Sequence, residues 1–282
     1  MKPLFRSKTG MHLLAFPRTY ADRENTRRRD IGDVGSVSVF SALNTAQIAP
    51  QNTLLCGPIG RMFSVLDALQ RQSVQPFVLI GTKRDFTDSP LLRLDTQWQN
   101  TGLPGRLPDG NGRITLRAGG LNEMMELLPE LQDRLLILCL GHGLTVNVSL
   151  MNRLNAAGNY LLVTNSLSGA LSRSADFTEE TLLSAMQHLV ISSIGGGSAE
   201  TLLKILPDYE CEKVANSFNF STHRDHGGTM GCHGGGGLQF GQNREIVTKH
   251  LLSENDLTRL CQESSLILYN ARLRKVWVGR IG

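Results

Sequence analysis

At 282 residues, with 40% hydrophobic and 19% charged residues, the chain is long enough to bury a full core in one large domain or two small ones. No apolar run approaches the roughly 18 residues of a membrane helix, and the start, MKPLFRSKTGMHLLAF, lacks the apolar stretch and small-residue cleavage site of a secretory signal. The five cysteines (Cys56, Cys139, Cys211, Cys232 and Cys261) are odd in number and widely spaced, which argues against a disulfide framework and for the cytosol.

The net charge of +4 is unevenly spread. Residues 1–30 hold eight Lys/Arg against three Asp/Glu, and residues 1–33 read as a basic flexible arm ahead of one domain over 34–282. Strand-like runs follow: SVSVF at 36–40, TLLC at 53–56, FVLIG at 77–81, RITLR at 113–117, RLLILCL at 134–140 and NYLLVT at 159–164. LVISS at 189–193, SLILY at 265–269 and KVWVG at 275–279 complete the set. Several are unbroken apolar runs, as expected of strands covered on both faces. MFSVLDALQRQ, GLNEMMELLPEL, LTVNVSLMNRLNAA, TEETLLSAMQHL (capped by Thr178) and SAETLLKIL (capped by Ser198) predict the intervening helices. The alternation predicts an α/β fold with a mainly parallel sheet, and the strands at 53–56, 77–81, 134–140 and 159–164 are expected side by side at its centre. Two stretches break the rhythm: a turn-rich loop insertion at 86–112 and a Gly-rich loop at 221–243.

LLCGPIGRMFSV, residues 54–65, is half of a phosphate-binding loop. Gly57 and Gly60 shape the turn and Ser64 stands at the hydroxyl position, but Met62 and Phe63 occupy the places of the second glycine and the lysine. Other chemistry is thinner. His223, His226, Cys232 and His233 offer four metal donors, yet they sit among glycines whose ordering is entropically unfavourable, so a mobile, metal-free loop is expected. Ser166, Ser168 or Cys139 with His142 could supply a nucleophile, but the G-x-S-x-G elbow is absent. LIGTKRDF mimics a guanine-reading T-K-x-D element, but follows Gly57 too soon for a GTPase. Neither cofactor nor metal is expected.

Taken in order, these segments resemble the type IV coupling proteins, RecA-like hexameric motors that feed substrates into conjugation and type IV secretion machines. In that resemblance TLLCGPIGRMFS stands for the phosphate loop. FVLIGTKRDF stands for the next strand and its Asp-Pro-Lys-Gly-Glu-like turn, with Lys83 and Asp85 kept. LLILCLGHG stands for the Walker B strand, GNYLLVTNSLS for the sensor strand with Asn165 at the glutamine, and MQHLVISSIGGGSAETLLKIL for the late strand and helix. HLLSENDLTRLCQESSLILYNARLRKVWVG resembles the C-terminal helix, capped near Ser253, and its hairpin.

The resemblance implies a RecA-like, P-loop-NTPase-type, mainly parallel sheet with helices on both faces. It also implies a vestigial nucleotide site at Gly57, Gly60, Ser64, Lys83, Asp85 and Asn165. Phe63 in place of the lysine removes a contact worth about 1.5–3 kcal/mol. No carboxylate follows the Walker B-like strand from Leu135 to Gly143. The family's membrane helices and inserted helical domain have no counterpart in these segments. The implied function is a catalytically inactive adaptor or structural subunit of a secretion or conjugation coupling complex, such as a Dot/Icm-like type IVB machine. It would act through contacts with other subunits, a coupling ATPase among them, in the cytoplasm at the inner membrane. Two alternatives stand beside it. One is a nucleic-acid-binding transfer or partition factor using RENTRRR. The other is a doubly wound enzyme acting on a small phosphorylated ligand in a crevice where Lys83, Asp85, His142 and Asn165 converge.

Overall fold

The apolar runs become the centre of a ten-stranded sheet in the computed structural model, which describes residues 10–14, 38–118, 131–172, 177–220, 238–262 and 265–280. β2 (Thr53–Cys56), β3 (Phe77–Thr82), β6 (Leu135–Leu140), β7 (Tyr160–Thr164) and β8 (His188–Ile191) are buried at every position. Their spatial order is β8-β2-β7-β6-β3, all parallel. The four strands expected at the centre therefore do lie side by side. β5 (Gly112–Leu116) and β4 (Trp98–Thr101) extend the parallel run past β3. On the other side β11 (Leu266–Asn270), β12 (Lys275–Arg280) and β1 (Gly10–Leu14) add antiparallel strands.

Counted along the chain, the five central strands stand fifth, first, fourth, third, second, in a RecA-like α/β arrangement. The step from β2 to β3 runs one way across the sheet, and the steps through β6 and β7 to β8 run the other. Right-handed crossovers then place helices on both faces. On one face α1 (Val39–Ala46) and α2 (Ile59–Gln72) bury Ala42, Leu43, Met62, Leu66 and Leu69 against Leu55, Leu79, Ile137, Leu161 and Val190. The alternate strand positions, Leu54, Ile80, Leu138 and Leu162, are equally buried. So are Leu150 and Leu154 of α4 (Val148–Ala157), after α3 (Lys83–Phe86), and both lie outside that cluster. Each Leu so buried contributes about 1.5–3 kcal/mol.

Several expectations need correction. Of the strand expected at 36–40, the described residues 38–40 open a helix instead: Ser38 Oγ accepts the Ser41 amide (3.2 Å), and Val39, Ala42, Leu43 and Ala46 recur at helical spacing in α1. α5 (Leu167–Ala170) and α6 (Glu179–Ser184) follow β7, and Thr178 caps α6 as read. α7 (Gly196–Ile205), however, starts two residues before Ser198, whose amide already bonds to Gly195 O within the first turn. The 86–112 insertion holds β4, whose polar, half-exposed pattern disguised an edge strand. The tail is as expected: α8 (Glu254–Gln262) starts with a reciprocal Ser253–Asp256 cap and leads into the β11–β12 hairpin.

The chain divides into two units rather than one domain over 34–282. Of the described residues, 10–14, 38–207 and 250–280 belong to the first. The second holds 208–249, where β9 (Asp208–Phe220) and β10 (Leu238–His250) hydrogen-bond to one another and not to the large sheet. Residues 10–14, inside the expected flexible arm, are ladder-paired to β12. The rest of residues 1–33, the helix expected at 120–131 apart from Leu131, and the His/Cys cluster of 223–233 lie outside the described residues.

Candidate functional site

The turn after β2 is where a phosphate would bind. Gly57 has φ +143°, and a Cβ there would strike the Ser192 hydroxyl, so glycine is required twice over. Its amide donates to Thr164 O (2.8 Å), tying β2 to the end of β7. α2 begins at Ile59, two residues further on, with Pro58 as its cap. The residues that would wrap a phosphate are instead the first turn of the helix, and the Arg61 and Met62 amides both bond to Pro58 O. Met62 is fully buried beneath α2, and Phe63 packs against the same core with the Arg93 guanidinium 6.0 Å from its ring centre. Gly60 and Ser64 are exposed on the helix.

A crevice opens beside this turn, at the carboxyl ends of β3, β6 and β7, where ligands of open α/β sheets bind. It encloses about 170 Å³ and is lined by Ile59, Arg84, Asp85, His142 and Asn165, among others. Of the six vestigial-site residues only Asp85 and Asn165 reach it. Gly57, Gly60, Ser64 and Lys83 do not line it, and Lys83 is exposed on α3. Of the four residues expected to converge in the enzyme alternative, three do.

The best-defined contact in the crevice is between Asp85 and His142. Asp85 Oδ1 lies 2.8 Å from His142 Nδ1, with the carboxylate side chain 9% exposed and the imidazole 41%. Asp85 Oδ2 accepts both the Thr82 amide and the Thr82 hydroxyl at 2.7 Å. This fixes the carboxylate at the start of α3. The imidazole is held by an unusual turn. Gly141 and Leu144 exchange two backbone hydrogen bonds of 2.8 Å, and the two residues between them, His142 and Gly143, have φ +44° and +96°. Positive φ at both central positions is the hallmark of a type I′ turn, and it is uncommon for histidine. The signal was present in the sequence as GHG after an apolar strand and as an acid two residues after Lys83. What the sequence did not show was the left-handed turn at His142 and the direct contact of its ring with Asp85.

The nucleophile readings do not assemble. Burial first, then the Asp85 carboxylate, pushes the Cys139 thiol far up, so it is a core sulfhydryl. Ser166 and Ser168 share a hydroxyl contact of 2.9 Å in a separate depression lined by Thr178, Glu179, Glu180 and Ser198, with no histidine among its walls. Among the described residues no group of three or more His, Cys, Asp or Glu could hold a metal ion, and no helix is long and apolar enough to cross a membrane.

No family model matches the chain, and no curated protein does. One solved structure that it resembles comes from Pyrococcus horikoshii OT3 and is known by its project designation PH0250. The two share 13% identity at a TM-score of 0.32, over 55% of this chain and 87% of that one.

Proposed function

We propose that this chain is a RecA-like scaffold without ATPase chemistry, which serves as an adaptor or structural subunit in a complex of the type IV secretion or conjugation coupling kind. The observation that carries the first half is the start of α2 at Ile59, which leaves no loop to surround a triphosphate. Met62 and Phe63 are committed to the core, and no carboxylate follows β6 to organise magnesium. A fold relieved of nucleotide chemistry acts through its surfaces. The family half rests on the ordered series of segments from TLLCGPIGRMFS to the C-terminal hairpin.

The partner-facing surface in this reading is the basic turn between β11 and β12, where Arg272, Arg274 and Lys275 are all exposed. An acidic partner would be steered there at low ionic strength. Affinity purification from the native host is the test. A coupling ATPase should co-purify with the wild-type chain and be lost at high salt or in the R272E/R274E/K275E variant. Recovery of no secretion subunit, or ATP turnover by the purified chain, would overturn the reading.

A further inference from the structure

We infer that the crevice at the ends of β3, β6 and β7 is a binding site for a small oxyanion, a phosphate or carboxylate group, which His142 grips from a position set by Asp85. The inference does not rest on the adaptor reading, and either can fail without the other. It starts from hydrogen-bond capacity. Asp85 spends one oxygen on Thr82, through two bonds, and the other on His142. An ionised carboxylate so engaged holds the proton on His142 Nδ1 and has little left to offer a ligand. The ring is left with Nε2, and in the imidazolium form Nε2–H is a charge-assisted donor.

Two of the other walls offer further hydrogen-bond donors. Ile59 opens α2, and the Ile59 and Gly60 amides have no acceptor within the helix, whose first turn contains no acid. The positive end of a fourteen-residue helix therefore borders the cavity. Asn165, which is exposed, lines the same crevice and offers a side-chain amide. Two further charges flank the mouth, Arg84 and Asp88, both exposed and of opposite sign, so neither decides the balance. A cavity of about 170 Å³ suits a small ligand rather than a nucleotide.

The strained turn supports the same conclusion independently. Glycine or asparagine would occupy the position of His142 at φ +44° more easily. A histidine held there, with its ring tied to a carboxylate of α3, is the kind of backbone outlier that collects at ligand sites.

The test uses the full-length chain with uniformly labelled histidine. His142 resonances are assigned by their loss in His142→Asn, a substitution the left-handed backbone tolerates. Inorganic phosphate and succinate are titrated separately, with glycerol as a neutral control. One or both anions should move the His142 ring signals saturably while glycerol does not. Affinity, measured for both chains by isothermal titration calorimetry, should fall about 10- to 100-fold in His142→Asn, the loss expected for one charge-assisted hydrogen bond. Asp85→Asn should weaken binding while its circular dichroism and melting profile remain those of a folded protein. Response to phosphate alone identifies a phosphoryl ligand, and to succinate alone a carboxylate. Still signals with both anions, or equal affinity in His142→Asn, would overturn the inference.

Discussion

At the scale of single residues, two buried side chains carry consequences that can be measured. His188 is 6% exposed at the start of β8, and burial lowers its pKa from 6.5 to about 4. Its Nδ1 has no hydrogen-bond partner. Between pH 6.5 and about 4 the unfolded chain takes up a proton that the folded chain refuses. The depressed pKa therefore subtracts stability as pH falls through that window and has no effect above it, to a total of about 3 kcal/mol. Urea midpoints at pH 7 and pH 4.5 should differ by more in the wild type than in His188→Asn. Gly57 gives the second prediction. Gly57→Ala meets both the Ser192 hydroxyl and an unfavourable φ, and should destabilise by about 1–3 kcal/mol. Ser192→Gly in the same chain should recover part of that loss in thermal melts, since the hydroxyl goes and the backbone strain stays.

At the scale of elements, the position of a helix start decides what the phosphate-loop sequence can do. Because α2 begins at Ile59, restoring the missing side chains does not rebuild the loop. The Met62→Gly, Phe63→Lys double variant should gain no ATP affinity by isothermal titration. It should also lose about 2–5 kcal/mol of stability, since Met62 lies at 0% exposure in the core. Phe63→Lys alone separates the two effects, for it keeps Met62 and should be equally blind to ATP. The same element shows how far the sequence could be read. Runs such as LLILCL and YLLVT announce strands because both of their faces are apolar, and their parallel pairing follows from the intervening helices. β4 did not announce itself, because Trp98–Thr101 is polar and joins the sheet only through β5. SVSVF misled in the opposite direction, since β-branched residues over five positions outweighed a Ser38 cap that only the following Ala42-Leu43 pair makes intelligible. Of the candidate site, Asp85, His142 and Asn165 were nameable from sequence. Their convergence followed from the expected neighbouring strands, whereas the Asp85–His142 contact depended on a left-handed turn at His142 that the sequence did not announce.

At the scale of the whole molecule, part of the chain's basic bias lies on one exposed turn where contacts can use it. Arg272, Arg274 and Lys275 share one exposed turn, and no acid lies among residues 271–275. Reversing these three charges should leave the melting temperature within a few degrees of wild type, as expected for exposed positions. If the turn docks an acidic surface, the association rate measured by surface plasmon resonance should fall steeply with salt in the wild type and be nearly flat in the reversed variant.

The ladder between β1 and β12 has a further consequence, for the order in which the protein can be made. Gly10 is paired with Arg280, and Leu14 with Val276. A ribosome delivers residues at about 5–20 per second. β1 therefore waits many seconds after its own synthesis before β12, its ladder partner among the described residues, emerges. Meanwhile the parallel core, whose last strand is β8, can close without it. The antiparallel edge should be the final part of the sheet to acquire protection in a pulse-labelled nascent chain. During that interval the segment around Gly10–Leu14 is free to be held by a chaperone.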